Sequence, residues 1–88
     1  MSNVQNLVIG EHMYSPRWNR WENIIGLIDN YEYWIVEVIS LTPLSDGKWE
    51  SVGRFEAYTL DLCDITSTPK LPPEVEQCIR NNGFGHLI

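Results

Sequence analysis

Two arginines and two tryptophans fall within five residues, Arg17-Trp18-Asn19-Arg20-Trp21, and Tyr14 stands just before them. Planar cations beside large flat rings stack on bases, on other aromatic groups or on cationic side chains. The expected contact surface is therefore Tyr14, Arg17, Trp18, Arg20 and Trp21. The competing reading puts one indole in the interior and packs the other along an arginine stem, because a small domain needs bulky fillers. A second aromatic set, Tyr31, Tyr33, Trp34, Trp49 and Tyr58, would make a cage for a methylated cation if its rings converged. Cross-strand packing is the simpler role for these five. Glu37 is the one acid inside a strongly apolar run. Burial would raise its pKa, and pairing with Arg20 or Arg54 would instead give it a structural role.

Catalytic and metal motifs are missing from the sequence. His12, His86, Cys63 and Cys78 lack the close spacing of zinc ligands. Gly83-Phe84-Gly85 follows the one helical segment, whereas a phosphate-binding loop precedes its helix. No nucleophile elbow is present. The expectation is a protein without enzymatic activity, without a metal and without a cofactor.

Charge narrows the partners. The 88 residues include 12 acidic and 6 basic side chains, for a net charge of −6. Duplex binding draws on Lys and Arg to neutralise phosphates, so nucleic acid is disfavoured and a partner with a basic surface is favoured. The chain is 43% hydrophobic and carries four Trp and four Tyr, which is too apolar for disorder. Its longest apolar stretch, Tyr33 to Leu41, is interrupted by Glu37 and is far shorter than the ~20 residues of a membrane helix. Two cysteines make no disulfide framework, and Met1 to Gln5 has no signal-peptide character. A cytoplasmic protein with reduced thiols is expected, with Cys78 buried on a helix face.

The elements that would carry these residues read as mainly β. Leu7-Val8-Ile9 is a strand candidate, and Glu11 to Tyr14 alternates until Pro16 ends the ladder. Arg17 to Asn23 has no clean period and is expected to be a loop entering the strand Asn23–Ile28, in which Gly26 marks a bulge. Asp29-Asn30 is the expected hairpin turn. Tyr31 to Leu41 is rich in aromatic and β-branched residues and apolar on both faces, so a central strand covered on both sides is expected, with Trp34 in the core. Thr42 to Gly47 is a turn cluster. Lys48 to Val52 and Arg54 to Thr59 are further strand candidates, with a bulge at Gly53 between them, and Leu60 to Ile65 is a last short strand or helical turn. Beyond it the pattern changes. Pro72-Pro73, early glutamates and the spacing of Val75, Cys78 and Ile79 predict a short helix from Pro73 to Asn82, closed by Gly83.

From Gly10 to Asp64 this order of strands and turns resembles an SH3-like small barrel, the shape of Tudor and KOW modules. The resemblance lies in topology and turn placement, and it implies a five-stranded antiparallel barrel with a short C-terminal α-helix. The layout would be a flexible N-terminus over 1–6, the barrel over 7–65, a linker over 66–72, and the helix and tail over 73–88. Such barrels host many functions. The expected function is a non-enzymatic binding module acting through protein–protein interaction, in the manner of a small acidic inhibitor. A tiny acidic barrel of this kind would suit a phage-encoded anti-defence protein, including an anti-CRISPR protein that occupies a nucleic-acid channel. The alternatives are a small-ligand or nucleotide binder using the Arg/Trp loop, and a single-stranded nucleic-acid binder using the same loop.

Overall fold

The computed structural model describes residues 6–60 and 65–88. Four strands follow one another in an antiparallel meander: β1 (His12–Ser15), β2 (Arg20–Asn30), β3 (Tyr33–Ser40) and β4 (Phe55–Leu60). β1 stops at Ser15 because Pro16 has no N–H to continue the ladder. The residues 16–19 form a four-residue hairpin loop, and Ser15 faces Arg20 across it. Asn19 closes the loop at φ 52°, a left-handed conformation that Asn tolerates better than most residues. The segment expected to be a loop through Asn23 is thus a hairpin loop plus the start of β2. In β2 the register shifts between Ile24 and Gly26, which is the bulge expected at that glycine.

The β2–β3 turn lies two residues later than expected. Asp29 and Asn30 are paired with Trp34 and Tyr33, and the chain reverses at Tyr31-Glu32. This register aligns Leu27 with Val36 and Ile28 with Ile35, and Asn30 Nδ2 donates to Tyr33 Oη at 2.8 Å to hold the last pair. Apolar alignment along the strands outweighs the turn preference of Asp-Asn.

After β3 the chain departs further from expectation. Lys48–Val52 is no strand; it contains a single 3₁₀ turn at Trp49–Ser51. Trp49 is drawn onto Phe84, with ring centroids 5.9 Å apart, and Ser40 Oγ donates to Ser51 O at 2.6 Å. Gly53 does make a bulge. Its N–H donates to Ser40 O at 2.7 Å while Ser40 N–H donates to Arg54 O at 3.1 Å, so two residues oppose one. Its φ of +84° explains why glycine stands there. Leu7–Ile9 does not join the sheet: Leu7 is buried while Val8 and Ile9 face outward. The expectations for residues 1–5, for Cys63, and for most of Leu60 to Ile65 fall on 1–5 and 61–64, outside the described residues.

The mainly-β class with a C-terminal helix is therefore correct, and the five-stranded closed barrel is not. Among the described residues the sheet is open, four-stranded, with β1 and β4 at its edges. Two of the expected strands are absent, so too little sheet is left to curl β4 round to β1.

Register sorts side chains onto two faces. The inner face carries Met13, Glu22, Ile24, Val36, Val38 and Tyr58, and its core gathers Leu7, Met13, Ile24, Val36 and Val38, with Leu27, Tyr58, Leu60 and Ile65 packed around them. A second core lies at the other side of the sheet. There Leu41, Leu71 and Ile79 are buried against Trp21, Val75, Phe84, Leu87 and Ile88. Helix α1 (Pro73–Asn81) supplies Val75 and Ile79 to this core, with Pro73 in its first turn as expected. Cys78 is exposed, contrary to expectation, because one residue of helix rotates it about 100° off the Ile79 direction. Residues beyond β4 return along β1, where His12 and Thr68 exchange backbone hydrogen bonds of 2.9 and 2.8 Å. Trp34 shares the inner face with Val36 but is only half-buried, since it lies near the hairpin tip beyond the packed core.

Candidate functional site

The five residues singled out between positions 14 and 21 are divided by the strand pleat. Tyr14 and Trp21 pair across β1 and β2 on the outer face, their rings meeting edge-on at 5.7 Å. Tyr14 is exposed and its hydroxyl donates to Asn19 Oδ1. Trp21 is half-buried against the helix core. Arg17 is exposed on the hairpin loop, and its guanidinium lies 5.3 Å from the centre of the half-buried Trp18 ring. Arg20 points the other way, into the inner face, and is 1% exposed. Its guanidinium sits 5.8 Å from the centre of the same indole, so both cations lie near the Trp18 ring. The indole also meets Tyr58 edge-on at 6.5 Å.

Arg20 is the centre of a polar network that has no signal in the order of residues. Its Nε donates to Glu22 Oε2 at 2.5 Å, and its Nη1 is ion-paired with Glu56. The Tyr58 hydroxyl donates to the other Glu22 oxygen, Oε1, at 2.5 Å. Alternation on β2 and the facing β3 and β4 registers bring these groups together: Glu56 and Tyr58 lie on the inner face opposite Val38 and Val36. Burial pushes the Glu22 carboxyl above its ordinary value; the hydrogen bonds from Tyr58 and Arg20 counter that rise only in part. Burial also raises the Tyr58 phenol, and the Glu22 carboxylate that its proton serves raises it further. Arg20 therefore neutralises interior acids, and Arg17 is the cation of the pair that an outside molecule can meet.

Beside Arg17 lies a cleft of about 200 Å³ lined by Ser15, Pro16, Arg17, Tyr58, Leu60 and Ile65. The aromatic set proposed as a cage does not converge. Tyr31 is fully exposed at the hairpin tip, Trp49 stacks on Phe84, and Tyr58 packs against Trp18.

Glu37 pairs with neither Arg20 nor Arg54, and among the described residues no Lys or Arg forms an ion pair with it. It stands half-buried on the outer face of β3, between Gly26 of β2 and Ala57 of β4. Its carboxylate leans over Gly26: a Cβ built there would lie 2.2 Å from Oε1. Small residues on both sides make a trough across the sheet. One wall is Ile28, Ile35 and Thr59; the other is Ile39 and Phe55, with the bulged Ile25 beside them. A hollow of about 230 Å³ opens between Ile25, Glu37, Phe55 and Ala57. Phe55 is 73% exposed, and Ile25, Ile28 and Tyr33 are exposed as well. Helix α1 covers the Trp21 region of this face and leaves the rest open. The sequence contains this surface in its alternation, but only the register shows that Ile28, Glu37 and Phe55 are neighbours.

Among the described residues no helix is long and apolar enough to cross a membrane. No family model, curated protein or solved structure matches the chain.

Proposed function

We propose that this chain is a non-enzymatic binding module that acts through protein–protein interaction with a basic partner. The observation that carries this reading is the open outer face, where exposed Ile25, Ile28 and Phe55 lie around a Glu37 that has no cationic partner among the described residues, with exposed Tyr33 farther along the same face. Contiguous exposed apolar surface with a polar rim is characteristic of interaction sites. The net charge of −6 adds long-range attraction to a basic surface. An acidic module that occupies a basic groove is also how a small inhibitor would work, so the anti-defence reading is one form of this proposal.

The test compares immobilised wild-type protein with an Ile28→Asp/Phe55→Asp variant, both shown to be folded by circular dichroism. A panel of purified proteins with isoelectric points above 9 and below 5 is passed over each. Retention of members of the basic set by wild type alone, and release as salt rises, is the expected result. Equal retention by both forms, or preference for the acidic set, would overturn the reading.

The cleft beside Arg17 favours a second reading, a small anionic ligand or nucleotide held by that guanidinium and the neighbouring ring surface. Its volume is below the ~300 Å³ at which ligand sites usually begin. Thermal shift against a nucleotide panel tests it: a rise in Tm that Arg17→Ala abolishes supports a ligand site, and no rise removes it.

A further inference from the structure

We infer that the partner binds as an extended segment added to the free edge of β4, with a lysine or arginine laid along the trough toward Glu37. This rests on the proposed protein–protein reading and names the mode and the chemistry of the contact.

The edge is available. β4 pairs with β3 on one side, and among the described residues no strand pairs with it on the other. The Ser40–Arg54 hydrogen bond fixes which groups face outward. In an antiparallel ladder the bonded positions alternate, so Arg54, Glu56, Tyr58 and Leu60 turn their backbone groups toward β3. The N–H and C=O groups of Phe55, Ala57 and Thr59 then point to the open edge. An added strand opposite these three residues satisfies six backbone groups, the ordinary source of affinity in strand addition. β4 contains no proline, no lysine and no internal bulge to guard this edge, and its one inward charge, Glu56, is ion-paired with Arg20.

Specificity comes from the outer face. The residue opposite Ala57 enters the open end of the trough, because Ala57 is the small residue between Phe55 and Thr59. Two strand spacings, about 10 Å, separate a partner backbone from β3. The Glu37 carboxylate rests over Gly26, on the β2 side of β3, so an extended Lys or Arg closes that span once the Glu37 side chain swings across toward Ala57. The aliphatic stem would lie over Ala57 beside Phe55, and the charged head would meet a carboxylate that no Lys or Arg neutralises among the described residues. The same geometry disfavours a second copy as the occupant. Two chains of net charge −6 repel, and antiparallel β4–β4 pairing about Ala57 offers each Glu37 no cation.

The test uses fluorescein-labelled ten-residue peptides alternating Val and Lys, Val and norleucine, or Val and Glu, read by polarisation. The expected result is at least tenfold tighter binding of the Lys peptide than of the other two. N-methylation of alternate amides should abolish binding, and Glu37→Gln should erase most of the preference for Lys over norleucine. Equal affinity for Lys and norleucine peptides, indifference to N-methylation, or a dimer of this chain by analytical ultracentrifugation would overturn the inference. If basic proteins still require Ile28 and Phe55 for retention in that case, the binding-module reading stands and only the strand-addition mode fails.

Discussion

Arg20 shows how one residue type reads in two ways. Its neighbours in sequence, Arg17, Trp18 and Trp21, made it a natural recognition residue, yet it is enclosed with Glu22 and Glu56. Removing one member of a buried ion pair leaves the other uncompensated, which costs about 3–5 kcal/mol. Arg20→Ala is expected to lose stability on that scale in urea denaturation. Arg17→Ala, which removes only an exposed cation from above an indole, should lose about 0.5–1 kcal/mol. Glu22 gives a pH signature. In the unfolded chain its carboxyl titrates at the ordinary 4.5, while in the fold burial holds the proton to higher pH. The folded state therefore binds the proton more readily, and the Glu22 contribution is full below 4.5 and declines as pH rises through the folded value. The stability difference between wild type and Glu22→Gln should accordingly be most favourable to wild type near pH 4 and shrink toward pH 7. Denaturation of both proteins across that range checks it, and a difference that grows with pH would contradict the assignment. The charged loop was visible in the sequence because residue types alone announce it. The direction of Arg20 was not, because it depends on which face of β2 that position takes, and the start of β2 was not discernible in an aperiodic stretch.

Strands and their turns were readable wherever glycine or proline marks them. Pro16 ends β1, Gly26 sits at the bulge of β2 and Gly53 at the bulge before β4. The β2–β3 turn was misplaced because Tyr31 holds a conformation that Asp or Asn would adopt more easily. Its φ is 68°, and Glu32 N–H donates to Asn30 O at 2.8 Å, the hydrogen bond of a strained γ-turn. A left-handed residue with a Cβ costs roughly 1–2 kcal/mol, and Tyr31 is fully exposed with no packing to lose. Tyr31→Gly should therefore be more stable than Tyr31→Val by about that amount in thermal or chemical unfolding. Gly26 is occupied differently, by its neighbour. Alanine there must displace the Glu37 carboxylate, and overpacking of this kind costs about 1–3 kcal/mol. The loss should largely disappear in a Glu37→Ala background, a coupling that a double-mutant cycle measures. Additive effects would mean that the two residues do not share the space.

A single sheet serves both cores, and this decides how the molecule should unfold. β2 gives Ile24 to the inner core and Trp21 to the helix core, and β3 gives Val36 and Val38 to the first and leads directly into Leu41 of the second. Loss of either core removes support from the same two strands. α1 has only nine residues, too few to persist in water without its apolar face packed. Ile79→Ala and Val38→Ala, on opposite sides of the sheet, are each expected to destabilise the whole domain, Ile79→Ala by about 2–5 kcal/mol. Both variants should retain one cooperative transition. Far-UV circular dichroism, which follows helix and sheet, and tryptophan fluorescence, which sums four indoles including Trp21 and Trp49 at the helix core and Trp18 beside Tyr58, should then give coincident midpoints. An early fluorescence or dichroism step in Ile79→Ala alone would show that α1 and its core detach separately. The outer face would then extend from Phe55 to Trp21, and the surface available to a partner would depend on whether the helix is docked.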